Sequence, residues 1–264
     1  MTYKIAVCVK HVPDPEFFSK VKLDPKTGTI IRTGIPSIVN PLDRNALEMA
    51  LDFKDKYGAT VTAISMGPQQ AVEALQIALA MGADEAYLLS DRVFAGADSL
   101  ITAEILAKGL QAVDDFDLVF CGNIAVDGST GQVPAQVAEY LGYAHITHVQ
   151  EISMKGEKLE AKATRDFGHT VYEAQFPVTI AVNKYSREPR NMTVQGIMKA
   201  VNYKINIITS EKVKINEKNA LEGSPTRVLG MEEVKGGRKG LILTDEPNAA
   251  AKKAVERLVK LGAV

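Results

Sequence analysis

The chain has 264 residues, 46% of them hydrophobic and 24% charged, enough for one large core or for a domain with an extension. A net charge of -1 gives no pull toward nucleic acid or anionic lipid, and the absence of tryptophan leaves little for base stacking. No stretch approaches the roughly 18 apolar residues of a membrane span, and the apolar run before Lys10 is too short for a secretory signal, so a cytoplasmic protein is expected.

In chain order, IAVCV (Ile5–Val9) reads as a short strand covered on both faces. VKLDPKTGTIIR (Val21–Arg32) reads as a hairpin around Pro25 and Gly28. NPLDRNALEMALDFKDKYG (Asn40–Gly58) carries Leu47, Ala50 and Leu51 at helical spacing, with Asp43 near the start and Gly58 just past the end. A strand at Thr60–Gly67 and a helix opened by Pro68 and stopped by Gly82 come next. The strand EAYLLS, the helix DSLITAEILAKGLQAV and the strand FDLVFCG follow. This alternation predicts βαβ units around a parallel sheet.

Beyond Gly142 the period changes. HITHVQEISMKGEKLEAKATRDFGHTVYEAQFPVTIAVN alternates with period two between turn residues, which predicts an antiparallel meander. From about Ser210 the chain is polar and broken by Gly and Pro, and it ends in an amphipathic helix with Ala251, Val255, Leu258 and Leu261 on one stripe. The expected organisation is an α/β domain over 1–210 and a C-terminal arm with its helix over 211–264, packed on its own domain or lent to a partner.

Cys8 and Cys121 each fall at the end of a predicted core strand and read as buried hydrophobes, without disulfide or metal spacing. The histidines are scattered, and no nucleophile–base pairing marks a catalytic set. The informative stretch is LVFCGNIAVDGSTGQVPAQVAEYLG (Leu118–Gly142): an apolar run ends in Gly, a small polar turn follows, and a helix begins. In an open parallel sheet, ligands sit beyond the carboxyl ends of the strands, where strand order reverses. The turn Gly128-Ser129-Thr130-Gly131-Gln132 would present free N–H groups at such an edge, suited to a phosphate. Ser129 and Thr130 add hydroxyl donors, while Asp127 either accepts from a ribose hydroxyl or fixes the turn. An ordinary capped strand–turn–helix fits the same residues, and neither GxGxxG nor GxxxxGKS is present.

Two more turns are expected on the same edge. VNPLD (Val39–Asp43) offers Asn40 to an adenine edge, or simply starts a helix. SMGPQ (Ser65–Gln69) is the other. Further on, YSREPRNMTVQGIMKAVNYKI (Tyr185–Ile205) places Val194, Ile197 and Met198 around Gly196 between basic residues, as either a partner-docking segment or a core helix.

These stretches together resemble the β subunit of an electron transfer flavoprotein. VCVKHVPD, NPLDRNALEMAL, ALAMGADEAYLL, GNIAVDGSTGQV and REPRNMTVQGIMKA fall in that family's order and spacing, with REPR…IMKA the most specific. The resemblance implies a Rossmann-like α/β domain and a C-terminal arm that embraces an α subunit carrying FAD. It also implies a β-subunit nucleotide lined by Cys8, Asn40, Pro41, Leu42, Asp43, Ala63, Met66, Cys121, Gly122, Asn123, Ile124, Ala125, Val126, Asp127, Gly128, Ser129, Thr130, Gly131 and Gln132. Val194, Gln195, Gly196, Ile197, Met198 and Lys199 would dock a partner flavin dehydrogenase. Housekeeping members hold AMP in the β site. In flavin-bifurcating members, whose compact turn this chain resembles, a second FAD there takes hydride from NADH, and electrons divide between the α-subunit FAD and a low-potential acceptor such as ferredoxin. The chain departs from the family pattern at Asn123 and Ile124, and where TVQG precedes IMKA.

Overall fold

A computed structural model describes residues 2–20, 22–23, 30–31, 34–215, 220–226 and 240–263. The chain divides into two compact units, Met1–Val228 and Leu229–Val264. In the second, a helix spans Pro247–Lys260, with Pro at its start and Arg257 and Lys260 in its last turn.

The first unit begins with β1 (Tyr3–Cys8), whose last four residues are buried on both faces. Two small ladders follow: β2 (His11–Pro13) pairs with β5 (Ser37–Val39), and β3 (Lys22–Leu23) pairs antiparallel with β4 (Ile30–Ile31). The second ladder is the expected hairpin; its Pro25 and Gly28 lie outside the described residues. Helix α1 (Pro41–Tyr57) starts on Pro and stops at Gly58, whose φ of 74° few other residues adopt. Then come β6 (Ala59–Met66), α2 (Val72–Met81), β7 (Glu85–Leu89), α3 (Ser99–Val113), β8 (Leu118–Gly122) and α4 (Val133–Leu141). Asp98 caps α3 by accepting from the N–H of Ile101 at 3.0 Å.

Strands β9 (Ala144–Lys155), β10 (Lys158–Arg165) and β11 (Gly168–Ala174) form the antiparallel part. The meander expectation is corrected at its last strand. β12 (Val178–Val182) runs parallel to both β9 and β8 and sits inside the sheet. All five of its residues are buried, so VTIAV is a strand covered on both faces, like β1 and β8, rather than a half-exposed edge. Helix α5 (Val194–Asn202) and β13 (Asn206–Ile208), which pairs with β7, complete the sheet's far side. A single turn of helix, α6 (Ala220–Gly223), buries Ala220. With α6 in place, the terminal helix Pro247–Lys260 is α7.

The nine strands lie in the order β11-β10-β9-β12-β8-β1-β6-β7-β13. Alternation divides the core into two layers. Ile5, Val7, Leu118 and Phe120 point to the layer containing Leu47, Leu51 and Leu75 of α1 and α2. Ala6, Cys8, Val119 and Cys121 point to the layer containing Ile105, Leu110 and Val137 of α3 and α4. From β1 the chain proceeds outward through β6 and β7, then returns to place β8 on the other side of β1. Strand order therefore reverses between β1 and β8, and their carboxyl ends, Cys8 and Gly122, flank the switch point where open α/β sheets form a crevice.

Candidate functional site

At the switch point the chain packs first against itself. A Cβ at Gly122 would lie 2.8 Å from both the backbone N of Asp43 and the carbonyl carbon of Leu42, and closer still to an Asp43 carboxylate oxygen. This glycine admits the start of α1, so the side chain missing there makes room for the protein's own helix.

Asp43 is buried. Its Oδ1 accepts from Gly122 N at 3.1 Å and Asn40 Nδ2 at 2.9 Å, and its Oδ2 accepts from Lys10 N at 2.7 Å. Three loops are thereby tied to one carboxyl group. Burial raises its pKa to about 7, against the opposing pull of the Asn40, Lys10 and Gly122 donors.

Asn40, fully buried, gives its second amide hydrogen to the Ile124 carbonyl at 3.0 Å and accepts from Val126 N at 3.2 Å. Both of its donors are spent inside the protein, and its observed task is to hold the 124–126 segment. Lys10 Nζ donates to Asp127 Oδ1 at 2.7 Å, so a carboxylate that would repel an anion carries its own counter-charge.

Beyond this braced base the turn opens outward. Gly128 through Gln132 are exposed. Ser129 N donates to the Ala125 carbonyl at 2.9 Å, with Ser129 at φ 51° and Gly131 at φ 63°. Among the described residues, the N–H groups of Thr130, Gly131 and Gln132 have no protein acceptor. A Cβ at Gly131 would meet nothing nearer than the Asn123 carbonyl at 3.7 Å, and one at Gly128 nothing nearer than Lys10 Nζ at 3.9 Å. Helix α4 follows at once. Its capping position, Gln132, makes no side-chain cap; its Oε1 accepts instead from Ser99 Oγ at 2.9 Å. Open main-chain donors leading into a helix N-terminus fit a phosphate group.

Cys8 stands opposite Cys121 in the ladder, and both are buried free thiols. The Cys8 thiol and burial together hold the Cys121 thiol well above its ordinary value, so it is not a thiolate. Pro41 and Leu42 form the first turn of α1 beside Gly122. Met66 ends β6 at the same edge, half-buried. Ala63 is not brought to the edge; it is fully buried among residues of the α1–α2 layer. Among the described residues, no group of three His, Cys, Asp or Glu side chains could hold a metal, and no helix is long and apolar enough to cross a membrane.

Sequence reasoning passed over Lys10 and Thr147 and set His148 aside as packed or solvated. Asn123, the first residue after β8, has its Nδ2 3.1 Å from His148 Nε2, and its Oδ1 accepts from Thr147 Oγ1 at 2.7 Å. His148 has φ 59°, and the register of β9 slips beside it against both β10 and β12. Such a bulge re-aims a side chain. The alternation of HITHV gives no sign of it, because the irregularity arises from two neighbours imposing different registers on one strand.

The second predicted segment forms α5, capped by Thr193 Oγ1, which accepts from Gly196 N at 2.9 Å. Val194, Met198 and Val201 are 76%, 62% and 71% exposed, with Gln195 and Ile197 also at the surface. Gly196 and Ala200 face inward, and Lys199 Nζ donates to the Ala83 carbonyl at 3.2 Å.

Comparison with known proteins supplies the lineage. Residues 27–213 match the electron transfer flavoprotein domain. The chain is 43% identical over 256 residues to the electron transfer flavoprotein subunit beta of Thermoanaerobacterium thermosaccharolyticum, covering 96% of this chain and 97% of that protein. It is 46% identical over 228 residues, 86% of each chain, to the caffeyl-CoA reductase-Etf complex subunit CarD of Acetobacterium woodii. It is 35% identical over 234 residues, again 86% of each, to the acryloyl-CoA reductase electron transfer subunit gamma of Anaerotignum propionicum. The sheet with its switch point and the near full-length matches agree: the chain belongs to the electron transfer flavoprotein family, among its β subunits.

Proposed function

We propose that this chain is the β half of a heterodimeric electron transfer flavoprotein that bifurcates electrons, with FAD in the crevice at the β1–β8 switch point. The open N–H groups of Thr130, Gly131 and Gln132, braced from below by Asp43, Asn40 and Lys10, carry this reading. They would hold the pyrophosphate, with the positive end of α4 adding to the attraction. Ser129 and Thr130 would donate hydroxyls, and Cys8, Pro41, Leu42, Met66 and the Cys121–Val126 segment would shape the walls. Bound there, FAD supplies acceptance of hydride from NADH and its release as single electrons. The chain's own part is to orient and enclose the group, in keeping with a site whose titratable residues are spent on bracing.

The bifurcating direction is favoured by relatives named as parts of caffeyl-CoA and acryloyl-CoA reductase complexes. On this reading the terminal helix α7 packs on an α subunit carrying its own FAD, α5 docks a flavin dehydrogenase, and ferredoxin or a similar low-potential acceptor takes the second electron. The phosphate cradle would serve AMP equally well, and a non-bifurcating β subunit holding structural AMP is the competing outcome. Releasing and counting cofactors from the purified heterodimer separates them. Two FAD per heterodimer is the expected result; one FAD with one AMP overturns bifurcation while leaving the cradle in place.

A further inference from the structure

The exposed stripe of α5 is held from two sides by residues that take no part in the stripe itself. Upstream, Arg190 locks the chain onto α1: its backbone N donates to Glu48 Oε2 at 2.8 Å, and its Nε lies 3.0 Å from both Glu48 oxygens. Its Nη2 reaches Asp55 at 2.9 Å and Asp52 at 3.6 Å. Asp52 also accepts from Arg187 Nε at 3.0 Å. Glu48 is buried, so its charge is satisfied by this guanidinium in fixed geometry rather than by water. Within the helix, a Cβ at Gly196 would lie 3.0 Å from the Ala80 carbonyl carbon and nearer still to its oxygen, so α5 packs backbone to backbone on the end of α2.

We propose that Arg190 and Gly196 are positioning residues for the docking of the partner dehydrogenase: they fix where Val194, Met198 and Val201 stand, without touching the partner. A short helix with one buried anchor, Ala200, would otherwise tilt on the surface. Fixing the stripe before encounter removes an ordering cost from association. The bidentate guanidinium cannot be reproduced by a lysine, which keeps the charge and loses the fork. This inference rests on α5 being the docking surface.

The test uses the intact heterodimer and an acyl-CoA reductase flavoenzyme that it reduces, titrated to saturation. Arg190→Lys and Gly196→Ala are expected to raise KM for that enzyme about five- to twentyfold, as a lost preorganised contact should. kcat at saturation and flavin content stay within about twofold, a split that simple loss of fold does not give. Asp52→Asn, which loosens the same clamp from a half-exposed position, is a milder second variant, expected to move KM about two- to fivefold in the same direction. Met198→Asp serves as the control for the surface. Unchanged KM in the clamp variants, with KM raised in Met198→Asp, overturns the positioning role alone. Unchanged KM in all of them removes the docking surface, and the positioning role with it.

Discussion

Asp43 Oδ1 accepts the backbone N–H of Gly122 at 3.1 Å across 79 residues of sequence, joining the start of α1 to the end of β8 at the point where strand order reverses. This bond, with those from Lys10 and Asn40 to the same carboxyl group, makes the floor of the candidate nucleotide site part of the folded core.

Gly122→Ala should therefore act on both stability and ligand. The added methyl would meet the backbone of Leu42 and Asp43 at 2.8 Å, where neither atom can swing aside. A cost of roughly 1–3 kcal/mol is expected from such overpacking, read as a shift in the denaturant midpoint. Cofactor release assays should show reduced β-site occupancy.

The pH dependence of Asp43 has a definite sign. With the folded pKa raised to about 7, the folded state holds this proton through a window in which the unfolded chain, at about 4, has lost it. The group's contribution to stability is complete below pH 4 and is lost as pH rises to 7. Compared with Asp43→Asn, the wild-type advantage should shrink across that window by at most on the order of 4 kcal/mol and be flat above it. An advantage that grows with pH would mean that the three donors outweigh burial.

His148 sits at φ 59°, a conformation that His and Asn enter far more readily than branched residues. His148→Asn should be tolerated, whereas His148→Val should cost roughly 1–3 kcal/mol through backbone strain. Thermal melts of the two variants provide the comparison; equal losses would show that the ring contact to Asn123, and not the backbone, is what matters.

Much of this was legible before the structure. The alternation of buried runs and amphipathic segments gave the parallel sheet, and Gly58, Gly82 and Gly142 stop helices as glycines at those positions should. Of the three turns expected on one edge, SMGPQ and the turn after Gly122 follow carboxyl ends of main-sheet strands, whereas VNPLD follows β5 of a separate two-stranded ladder. Three things were hidden. VTIAV entered the sheet centrally, which period-two reading of its neighbours masked. Asn40 looked available to a ligand, yet its donors go to Asp43, three residues on, and to Ile124, which only the fold brings near. The glycine at 122 suggested an approaching molecule, and what approaches is α1. Pairings between segments far apart in sequence leave no local periodicity to read.

The central claim is that the exposed ribbon at Thr130–Gln132 grips the phosphates of a β-site nucleotide, and Gly131→Val tests it most directly. Valine at φ 63° is strained, and the strain falls on the ribbon that carries the open N–H groups. Cofactors released from the purified variant heterodimer should show the α-site flavin at one per heterodimer and the β-site nucleotide below about a tenth of that, a loss of more than tenfold in occupancy. Both cofactors at full stoichiometry would contradict the account.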